Sequence, residues 1–527
     1  MLFPLAGKTL DAARTALHIC HIGDSDERVS FGALDARANQ VAHALRTLGL
    51  RHGDHVALLM SNGRRFLEAC FGADRCGLYY TTINTRLLAS EVAYIVRDCG
   101  AKVVLVSSDL APLAVDVRAL ISSQVRCFVH GGDVPGFERW ETLCDRQPTT
   151  LIADPTQGSD MLYSSGTTGK PKGVKWPLPV TPAGQRTMLV DLLGSLFDYG
   201  GPDCRYLCPA PLYHAAPLRH CMTVIKRGGT VYVMPHFDAA LALALIERHR
   251  ITHSQWVPTM FVRMLKLPRS ERLRHDMRSM RMAVHAAAPC PIDVKRQMLD
   301  WWGPIIHEYY AGTENNGFCA ITPDEWLAHP GSVGRAVQGV LHICDEDGHE
   351  LAEGETGLVY FSNGPEFSYH GDAERTAQSR NASGWTTLGD IGRLEPGGYL
   401  HLVDRRAFMI ISGGVNIYPQ EIEDVLIGHA KVADVAVVGV PNDDLGEEVR
   451  AVVQLLDPAQ ACGDVADELI AHCRQRLASY KCPRAIDFDA ALPRHPTGKL
   501  YKQRVRNRYW PAGASPAVTM ASTLVQP

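Results

Sequence analysis

The chain has 527 residues, of which 46% are hydrophobic and 21% charged, and its formal net charge is −4. This composition is typical of a soluble globular protein, and the length predicts about two to four domains or subdomains. The small net charge and a pI of about 6.6 argue against nucleic-acid binding and against a broadly basic membrane-facing surface.

The cysteine pattern and the N-terminal segment indicate the cytoplasm. The 15 cysteines form no C-x-x-C pair, the nearest approach being Cys204 and Cys208, and scattered thiols fit a reducing compartment. His18 and His21 flank Cys20, but no second pair of ligands stands at zinc-finger spacing, so no structural metal site is expected. The N-terminus lacks a secretory signal, and no apolar run approaches the roughly 18 residues of a membrane span. We therefore predict a cytoplasmic protein without an integral membrane segment.

Up to about residue 330, short apolar runs alternate with segments of helical periodicity. This alternation predicts parallel sheets layered with helices. Residues 280–302 read as a strand, a loop and a helix that Pro291 opens at its first turn. The other strands are predicted at 55–60, 101–108, 125–131 and 228–235, and the other helices at 64–77, 89–100 and 237–250.

The pattern of predicted strands and helices changes at about residue 331. Residues 331–403 have short strands, turn signals such as Glu346-Asp347-Gly348 and no long helix, which predicts a small β-rich subdomain. Beyond it, residues 419–441 read as a helix followed by a strand, and residues 468–483 as a helix ended by Pro483. These segments predict a compact α+β unit of about 100 residues. Residues 511–527 are predicted to be a disordered tail.

Residues 163–173, YSSGTTGKPKG, combine hydroxyls, glycines and two lysines. Glycines let the backbone approach an anion closely, and hydroxyls and amides donate to phosphate oxygens. A Walker A loop would need four residues between its glycines and a Ser or Thr after the lysine. Here Gly166 and Gly169 are only three apart and Pro171 follows Lys170. The stretch therefore predicts phosphate binding of another kind.

Taken with several remote motifs in the same order, this stretch resembles the phosphate loop of the adenylate-forming superfamily. That superfamily includes acyl-CoA synthetases, peptide-synthetase adenylation domains and luciferases. The resemblance covers residues 25–510 approximately and is greatest to fatty-acyl-type acyl-CoA synthetases. It implies a large N-terminal domain (1–403), a hinge (404–408) and a small mobile α+β C-terminal domain (409–510) that carries the catalytic lysine.

The resemblance implies a reaction in two steps. A carboxylic acid attacks the α-phosphate of ATP to give an acyl-AMP and pyrophosphate, and the thiol of coenzyme A then attacks the acyl carbon and releases AMP. No protein nucleophile is required, so catalysis consists of positioning and of neutralising charge on phosphorus. The implied cosubstrates and cofactor are ATP, coenzyme A and Mg²⁺. A homodimer is left open, and no nucleic-acid partner is expected.

The nucleotide site is implied by the phosphate loop and by the remote motifs. In HEYYAGTE (307–314), Tyr310 would stack on adenine, Thr313 would donate to the α-phosphate, and Glu314 would bind Mg²⁺ with Thr167 as a second ligand. The residues that the resemblance assigns to ATP or AMP are Ser164, Ser165, Gly166, Thr167, Thr168, Gly169, Lys170, Ala287, Ala288, Glu308, Tyr309, Tyr310, Thr313, Asp390, Arg405 and Lys499.

Three of these assignments need a comment. Asp390, in WTTLGDIG (385–392), would accept hydrogen bonds from both ribose hydroxyls, with Arg405 as a second ribose contact. The family commonly has threonine where Leu388 stands. Lys499, in LPRHPTGKLYK (492–502), would bridge the substrate carboxylate and the α-phosphate.

The acyl pocket is implied by a second group of residues. His214, in APLYHAAP (210–217), would form its wall and gate, and the other assigned residues are Trp256, His285, Ala286 and Ala311. Ala311 replaces the usual glycine of the family. Amino-acid-activating relatives have an aspartate near this pocket, whereas residues 254–260 contain no carboxylate. The pattern therefore predicts a hydrophobic, uncharged acid: a medium or long fatty acid, or a bulky aryl-alkanoic, isoprenoid or sterol-derived acid.

Domain rotation is implied by SGGVNIYPQEIE (412–423), which resembles the segment presented during thioester formation. Gly413 and Gly414 would let the backbone pass close to the pantetheine arm of coenzyme A. At the hinge, Ala407 occupies the usual charged position and Phe408 replaces an aspartate. Alanine permits a backbone rotation, so we expect the hinge to work. Because the usual charge is missing at this position, we expect a shifted balance between the two domain arrangements.

Three other functions remain open at this stage. The enzyme could hand its acyl-AMP to a carrier-protein pantetheine instead of free coenzyme A. Luciferase-type oxidation is consistent with the fold alone. A phosphate-loop ATPase or a nucleotide-binding protein without chemistry belongs to a different class, and the missing Ser or Thr after Lys170 and the intact segment around Lys499 argue against it.

Overall fold

The computed structural model describes residues 10–20, 26–164, 171–179, 181–494 and 500–510, and the statements below concern these ranges. The strands are β1 Thr15–Ile19, β2 Glu27–Ser30, β3 His55–Leu59, β4 Tyr79–Thr82, β5 Ala101–Ser107, β6 Arg126–His130, β7 Glu138–Arg139, β8 Ser159–Asp160, β9 Leu162–Ser164, β10 Lys172–Lys175, β11 Arg205–Cys208, β12 Thr230–Val233, β13 His253–Trp256, β14 Met282–His285, β15 Ile306–Tyr310, β16 Phe318–Ile321, β17 Arg335–Gln338, β18 Val340–Cys344, β19 Thr356–Ser362, β20 Ser368–Tyr369, β21 Thr386–Glu395, β22 Tyr399–Arg405, β23 Ile410–Ser412, β24 Val415–Ile417, β25 Val432–Asn442, β26 Gly446–Leu455 and β27 Ala485–Phe488. The α-helices are α1 Phe31–Thr47, α2 Arg64–Arg75, α3 Ala89–Asp98, α4 Ala111–Leu120, α5 Trp140–Cys144, α6 Met188–Leu196, α7 Ala215–Lys226, α8 Ala239–His249, α9 Pro258–Leu265, α10 Arg269–Arg272, α11 Ile292–Trp302, α12 Pro323–Ala328, α13 Ala373–Gln378, α14 Pro419–Ile427, α15 Gly463–Arg474 and α16 Lys502–Arg506.

Two large sheets organise the chain before residue 340. The first sheet has the order β17-β16-β15-β14-β13-β11-β12-β1-β2; it is parallel from β15 to β1 and antiparallel at both edges. The second sheet has the order β7-β6-β5-β3-β4-β8 and is parallel throughout. The parallel strands and their intervening helices confirm the predicted α/β architecture.

The two sheets and three groups of helices form five layers. Helices α1, α2 and α7 lie between the sheets and share one hydrophobic core with both. Helices α8, α9 and α11 cover the outer face of the first sheet, and α3 and α4 cover the outer face of the second. Because both faces of each sheet are covered, the central strands are buried almost completely, as their apolar sequences require.

Local sequence signals set the helix ends. Helix α8 begins after Asp238, whose carboxylate accepts a hydrogen bond from the Leu241 amide at 2.8 Å, and it ends before Arg250, which is in the left-handed region with φ 49°. The predicted helix opened by Pro291 is present as α11, with Pro291 as the residue that precedes its first turn.

Two smaller antiparallel sheets follow the large ones. One has the order β18-β19-β21-β22, and the other has the order β20-β10-β9. Arg335–Gln338 pairs with β16 of the first large sheet, so the small β-rich unit begins at Val340 and not at residue 331. The sequence could not show this boundary, since sheet membership depends on pairing with a strand elsewhere in the chain.

The C-terminal unit combines a sheet with two covering helices. Its strands have the order β24-β23-β26-β25, with β27 parallel to β26, and α14 and α15 pack on one face of the sheet. The prediction of a helix that continues to Pro483 is wrong. Helix α15 ends at Arg474, and a short 3₁₀ turn follows at Ser479–Lys481. Leu477 and Cys482 both pack on the core of this unit, and a continuous helix would point them in different directions.

Candidate active site

The predicted phosphate loop connects two antiparallel strands. Ser164 is the last residue of β9 and pairs with Lys172, the first residue of β10. A Walker loop opens a helix, so this geometry differs from that motif. Ser165, Gly166, Thr167, Thr168, Gly169 and Lys170 lie outside the described residues, and their predicted contacts with ATP stay predictions.

Glu314 lies buried at the side of this hairpin. Its Oε1 accepts a hydrogen bond from the Tyr369 hydroxyl at 3.0 Å, and the Lys172 ammonium lies 4.9 Å from the centre of the Tyr369 ring. Burial lowers the pKa of Lys172 to about 8. A buried carboxylate held by a neutral hydroxyl fits Mg²⁺, which takes one or two protein carboxylates and completes its shell with phosphates and water. The sequence reading missed Lys172 and Tyr369, although Lys172 belongs to the same quoted motif.

Arg219 fixes the backbone just before Glu314. Its Nη1 and Nη2 each donate to the Thr313 carbonyl oxygen at 3.2 Å, and Nη2 also donates to Asp160 Oδ2 at 2.8 Å. The guanidinium packs over the Trp176 ring at 4.5 Å. The sequence reading missed Arg219, since nothing in its neighbourhood on α7 indicates a contact with residues nearly a hundred positions later.

Tyr310, Asp390 and Arg405 form one hydrogen-bonded group. The Tyr310 hydroxyl donates to Asp390 Oδ2 at 2.6 Å, and Arg405 Nε donates to Asp390 Oδ1 at 2.9 Å. The Asp390 carboxylate raises the pKa of Arg405. The structure therefore brings together the predicted adenine-stacking tyrosine and the two predicted ribose contacts, and it fixes the orientation of the Asp390 carboxylate.

The loop after β14 carries backbone strain. Ala287 has φ 75°, a left-handed conformation that costs alanine about 1–2 kcal/mol and that is found at functional sites more often than elsewhere. Ala286 is buried, Ala287 is exposed and Ala288 is partly exposed. Small side chains in this conformation fit the predicted close approach of the loop to a flat ring.

Glu308 points away from this loop. Its Oε2 lies 2.6 Å from the Lys295 ammonium and 3.3 Å from His285 Nε2, in a fully buried group beneath the sheet. Burial raises the pKa of Glu308 and lowers that of His285 well below its usual value. Tyr309 points to the opposite face, where its ring stacks on Phe318 at 4.8 Å. Neither side chain reaches the cleft, so a nucleotide contact at these positions would use their backbone.

Leu388, which stands where the family commonly has threonine, packs against the turn that carries Glu314. A Cβ on Gly312 would lie 2.2 Å from Leu388 Cδ1, so the leucine packs directly on the backbone of Gly312. Asn316 continues this contact by donating to both the carbonyl and the hydroxyl oxygen of Thr386. The leucine therefore helps to hold the Gly312–Glu314 turn against β21 through apolar packing.

The five predicted acyl-pocket residues do not share one surface. His214 directly precedes α7, and Ala286 and Ala311 belong to the core on the α7 side of the first sheet. Trp256 and His285 lie on the other side, against α9 and α11; the Trp256 indole donates to Ser254 Oγ and its ring contacts Trp302. Successive strand residues face opposite ways, and this alternation separates His285 from Ala286. Trp256 and His285 thus lie on the opposite side of the first sheet from Ala286 and Ala311.

Six aromatic side chains pack on the same side of the first sheet as Ala286. We call Phe197, Tyr199, Tyr206, His220, Tyr309 and Phe318 the aromatic cluster. The Tyr199 hydroxyl and His220 Nδ1 are 2.8 Å apart, and burial lowers the pKa of His220 to about 3, so the imidazole is neutral. Beside the cluster lies an open pocket of about 290 Å³, whose wall includes Phe197 and His307 together with the charged Glu325 and Arg335.

The residues that flank the Lys499 segment contact both the C-terminal unit and the N-terminal half of the chain. Residues 495–499 lie outside the described residues, but Arg494 and Leu500 at their two ends pair with each other. Tyr501 forms a hydrogen bond with Asn84, and Arg504 lies 3.7 Å from Glu91. These contacts hold residues 501–504 against the N-terminal half of the chain.

The predicted hinge lies where β22 meets a short 3₁₀ turn. Ala407 is in that turn, Arg406–Phe408, and the ring of Phe408 lies 5.6 Å from the Lys502 ammonium. Lys502 pairs with Glu423 at 2.8 Å, and Asp404 Oδ2 accepts the Gln420 amide at 3.1 Å. The turn is thus tied to α14 and α16 on its C-terminal side.

Gly413 and Gly414 form the tight turn between β23 and β24, with φ 57° and 79°. Gly413 also lines a groove of about 560 Å³ on the C-terminal unit. Arg474 and Arg484 line the same groove, together with the exposed ring of Tyr480. The groove therefore joins a glycine turn to two positive charges.

Comparison with known proteins identifies the class. The family model described as AMP-binding enzyme matches residues 9–367, and the model of the AMP-binding enzyme C-terminal domain matches residues 421–499. The chain belongs to this family of adenylate-forming enzymes. Within it the chain is an acyl-CoA synthetase, an AMP-forming class that uses ATP, Mg²⁺ and coenzyme A.

Individual relatives support this assignment. The chain is 32% identical over 492 residues to the long-chain-fatty-acid–CoA ligase FadD13 of Mycobacterium tuberculosis, covering 92% of this chain and 94% of that protein. It is 32% identical over 501 residues to a feruloyl-CoA synthase of an Amycolatopsis species, with 94% and 97% covered. The crystal structure of ATP-bound MatB from Rhodopseudomonas palustris superposes with a TM-score of 0.80 at 26% identity, covering 96% and 97%. Among the described residues, no helix is both long and apolar enough to cross a membrane.

Proposed function

We propose that this chain activates a hydrophobic carboxylic acid as an acyl-AMP and transfers the acyl group to coenzyme A. One observation carries the proposal: Tyr310, at the end of the strand that leads to Thr313 and Glu314, forms a single hydrogen-bonded group with Asp390 and Arg405 of two other strands. The contacts assigned to ribose and adenine thus adjoin those assigned to the α-phosphate and the metal.

In the first step, a carboxylate oxygen of the acid bonds to the α-phosphorus, and the bond from phosphorus to pyrophosphate breaks. We assign to Lys499 the neutralisation of charge on the carboxylate and the α-phosphate, and to Thr313 a hydrogen bond to that phosphate. Glu314 would hold Mg²⁺, which supplies neutralisation of the phosphate charges. Arg219 and Tyr369 orient Thr313 and Glu314 in advance, and such preorganisation is a main source of catalysis in reactions that need no protein nucleophile.

In the second step, the sulfur of coenzyme A bonds to the acyl carbon and AMP leaves. The groove lined by Gly413, Arg474 and Arg484 supports coenzyme A as the acceptor. The glycine turn offers a close backbone approach to a narrow pantetheine arm, and the two arginines offer ion pairs to its phosphates.

The substrate proposal is an apolar acid. The acyl group would enter past His214 and lie against Ala286 and the aromatic cluster, whose side chains carry no charge at neutral pH. The relatives named above act on a long-chain fatty acid and on a feruloyl group, which differ in shape but are both largely apolar. Phe197 belongs to the cluster and also lines the pocket of about 290 Å³, so we assign to it the limit on acyl length.

The two steps require the domain division proposed from the sequence, with residues 404–408 as the hinge. Ala407→Pro tests it, because proline fixes φ and would block the backbone rotation. We expect this variant to form acyl-AMP normally and to lose thioester formation. Thioester formation at the rate of the original enzyme would show that the hinge lies elsewhere.

The reaction itself is tested by a panel of carboxylic acids graded in length and bulk. We expect AMP release that needs both an apolar acid and coenzyme A, with one acyl-CoA formed per AMP. If AMP release needs a carrier protein instead of free coenzyme A, the acyl acceptor is the carrier-protein thiol and the proposed acceptor is wrong. Hydrolysis of ATP without any acid, and without acid-dependent exchange of pyrophosphate into ATP, would overturn the proposal as a whole.

A further inference from the structure

A second cluster of functional side chains lies at the opposite edge of the first large sheet. His18 is on β1, Asp26 immediately precedes β2, and His249 is the last residue of α8. Asp26 Oδ2 lies 2.9 Å from His18 Nε2 and 3.4 Å from His249 Nε2. The three potential ligand atoms lie within 4.8 Å of one another. Two imidazoles and one carboxylate from distant parts of the sequence thus converge on one point.

The cluster is largely shielded from solvent. The side chains of His18, Asp26 and His249 are 3%, 12% and 11% exposed. The Tyr232 ring lies against both imidazoles, at centroid distances of 5.0 and 4.9 Å. A shielded group of this kind excludes most competing water from an ion while leaving a narrow opening for exchange.

Only one of the two imidazole nitrogens in the cluster makes a hydrogen bond. A proton on His18 Nε2 satisfies the 2.9 Å contact with Asp26. His249 Nε2 is buried, points toward the same carboxylate oxygen and makes no hydrogen bond. A buried imidazole nitrogen without a partner costs about 1–3 kcal/mol. One cation between the three atoms would replace the shared proton and give each imidazole a partner.

We propose that His18, Asp26 and His249 bind a divalent transition metal ion, with Zn²⁺ as the ion best suited to the donor set. Zn²⁺ binds imidazole nitrogen and carboxylate oxygen at about 2.0–2.2 Å, which places tetrahedral ligand atoms roughly 3.3 Å apart. The two measured contacts of 2.9 and 3.4 Å lie on either side of that spacing. Water takes the fourth position in this arrangement.

The proposed ion is separate from the catalytic magnesium site. Glu314, to which we assign the magnesium, follows β15, which is five strands from β1 in the first sheet, and neighbouring strands lie about 4.8 Å apart, which gives a separation of roughly 24 Å. The ion would tie the β1–β2 edge of the sheet to the end of α8, so its role is structural. Arg28 and Arg248 act electrostatically on the cluster and oppose a cation, so we expect exchangeable rather than permanent binding.

The experiment uses the full chain without an affinity tag, treated with a chelator and then titrated with Zn²⁺ against a chromophoric indicator. We expect one Zn²⁺ per chain, and for His249→Gln an affinity weaker by about tenfold or more, because one of three ligands is lost. His275→Gln is the matched control: His275 Nδ1 pairs with Glu247 at 2.8 Å next to the end of α8 but belongs to no three-ligand group of described residues. We expect this control to bind Zn²⁺ like the original protein.

Two results would overturn the proposal: stoichiometry below about one tenth of an ion per chain, or equal Zn²⁺ affinity of His249→Gln and the original protein. If His249→Gln fails to fold, Co²⁺ bound to the original protein decides the matter through its visible spectrum. Ligand-field bands without a thiolate charge-transfer band support the His18, Asp26 and His249 site. A thiolate band would assign the ion to cysteines and exclude this site.

Discussion

Arg219 and Thr313 are joined through the backbone: both terminal nitrogens of the guanidinium donate to the Thr313 carbonyl oxygen at 3.2 Å. The same guanidinium holds the buried carboxylate of Asp160. Arg219 therefore positions Thr313 and the adjacent Glu314, to which we assign the α-phosphate contact and the metal.

Arg219→Lys tests this positioning role. Lysine keeps a positive charge beside Asp160 but cannot donate to the carboxylate and the carbonyl in the same fork. We expect acyl-AMP formation to slow by about tenfold to a hundredfold, since a small misplacement of a reacting group has that effect. Thioester formation from supplied acyl-AMP should change less than threefold. Equal slowing of both steps would indicate that Arg219 supports only the fold.

Tyr310→Phe removes the hydroxyl that holds Asp390 Oδ2 at 2.6 Å. We expect KM for ATP to rise severalfold, because the ribose-binding carboxylate loses one of its two orienting donors, while the free energy of unfolding falls by about 1 kcal/mol. Tyr399→Phe is the control, since its hydroxyl donates to the Glu325 carboxylate away from the cleft. If both variants changed KM for ATP equally, the Tyr310 hydroxyl would have no specific role in nucleotide binding.

Phe197→Leu is expected to lengthen the acyl pocket. The smaller side chain would open the aromatic cluster toward the pocket of about 290 Å³, so kcat/KM for longer acids should rise relative to shorter ones. Phe318→Leu is the control, since Phe318 stacks on Tyr309 within the same cluster but does not line that pocket. Unchanged relative kcat/KM values for Phe197→Leu would place the acyl group elsewhere.

Lys170→Ala and Lys499→Ala are expected to separate the two half-reactions. Lys170 is assigned to the phosphates of ATP, and Lys499 to the charge on the attacking carboxylate and the α-phosphate during the first step, so acyl-AMP formation should fall in both variants, more severely for Lys499→Ala. Thioester formation from supplied acyl-AMP should fall much less. Equal loss in both half-reactions for Lys170→Ala would mean that the loop supports the fold.

Asp424 on α14 is expected to make stability depend on pH. Burial raises its folded-state pKa from 3.8 to about 7, so the folded protein retains a proton that the unfolded chain releases. This contribution is complete below about pH 4, is lost as pH rises toward 7 and is constant above it. The free energy of unfolding is measured with urea at pH 4.5 and at pH 8. Its decrease between these two pH values should be smaller for Asp424→Asn than for the original protein, by on the order of 2 kcal/mol. An identical loss in the two proteins would contradict the assignment.

The sequence was most informative where function depends on short, continuous motifs. HEYYAGTE predicted a site around Tyr310 and Glu314, which the structure places beside Asp390 and Tyr369, whereas the phosphate contacts predicted for YSSGTTGKPKG stay predictions. The alternation of apolar runs and helical periods likewise predicted the parallel sheets.

Features that depend on pairing between distant segments could not be read in this way. Trp256 was assigned to the acyl pocket, but the register of β13 turns its side chain to the other face of the sheet. Arg219 and Tyr369 reach the site only through the packing of α7 and β20. The cluster of His18 and His249 requires β1 and the end of α8 to be adjacent, which only the sheet order shows.

The central claim is most directly tested by a single-turnover experiment with ATP labelled at the α-phosphate, Mg²⁺ and an apolar acid, first without coenzyme A. The account predicts about one labelled acyl-AMP per active site, formed with release of pyrophosphate. Added coenzyme A should then convert this intermediate into acyl-CoA and AMP. Formation of labelled ADP, or of AMP without an acyl-AMP intermediate, would contradict it.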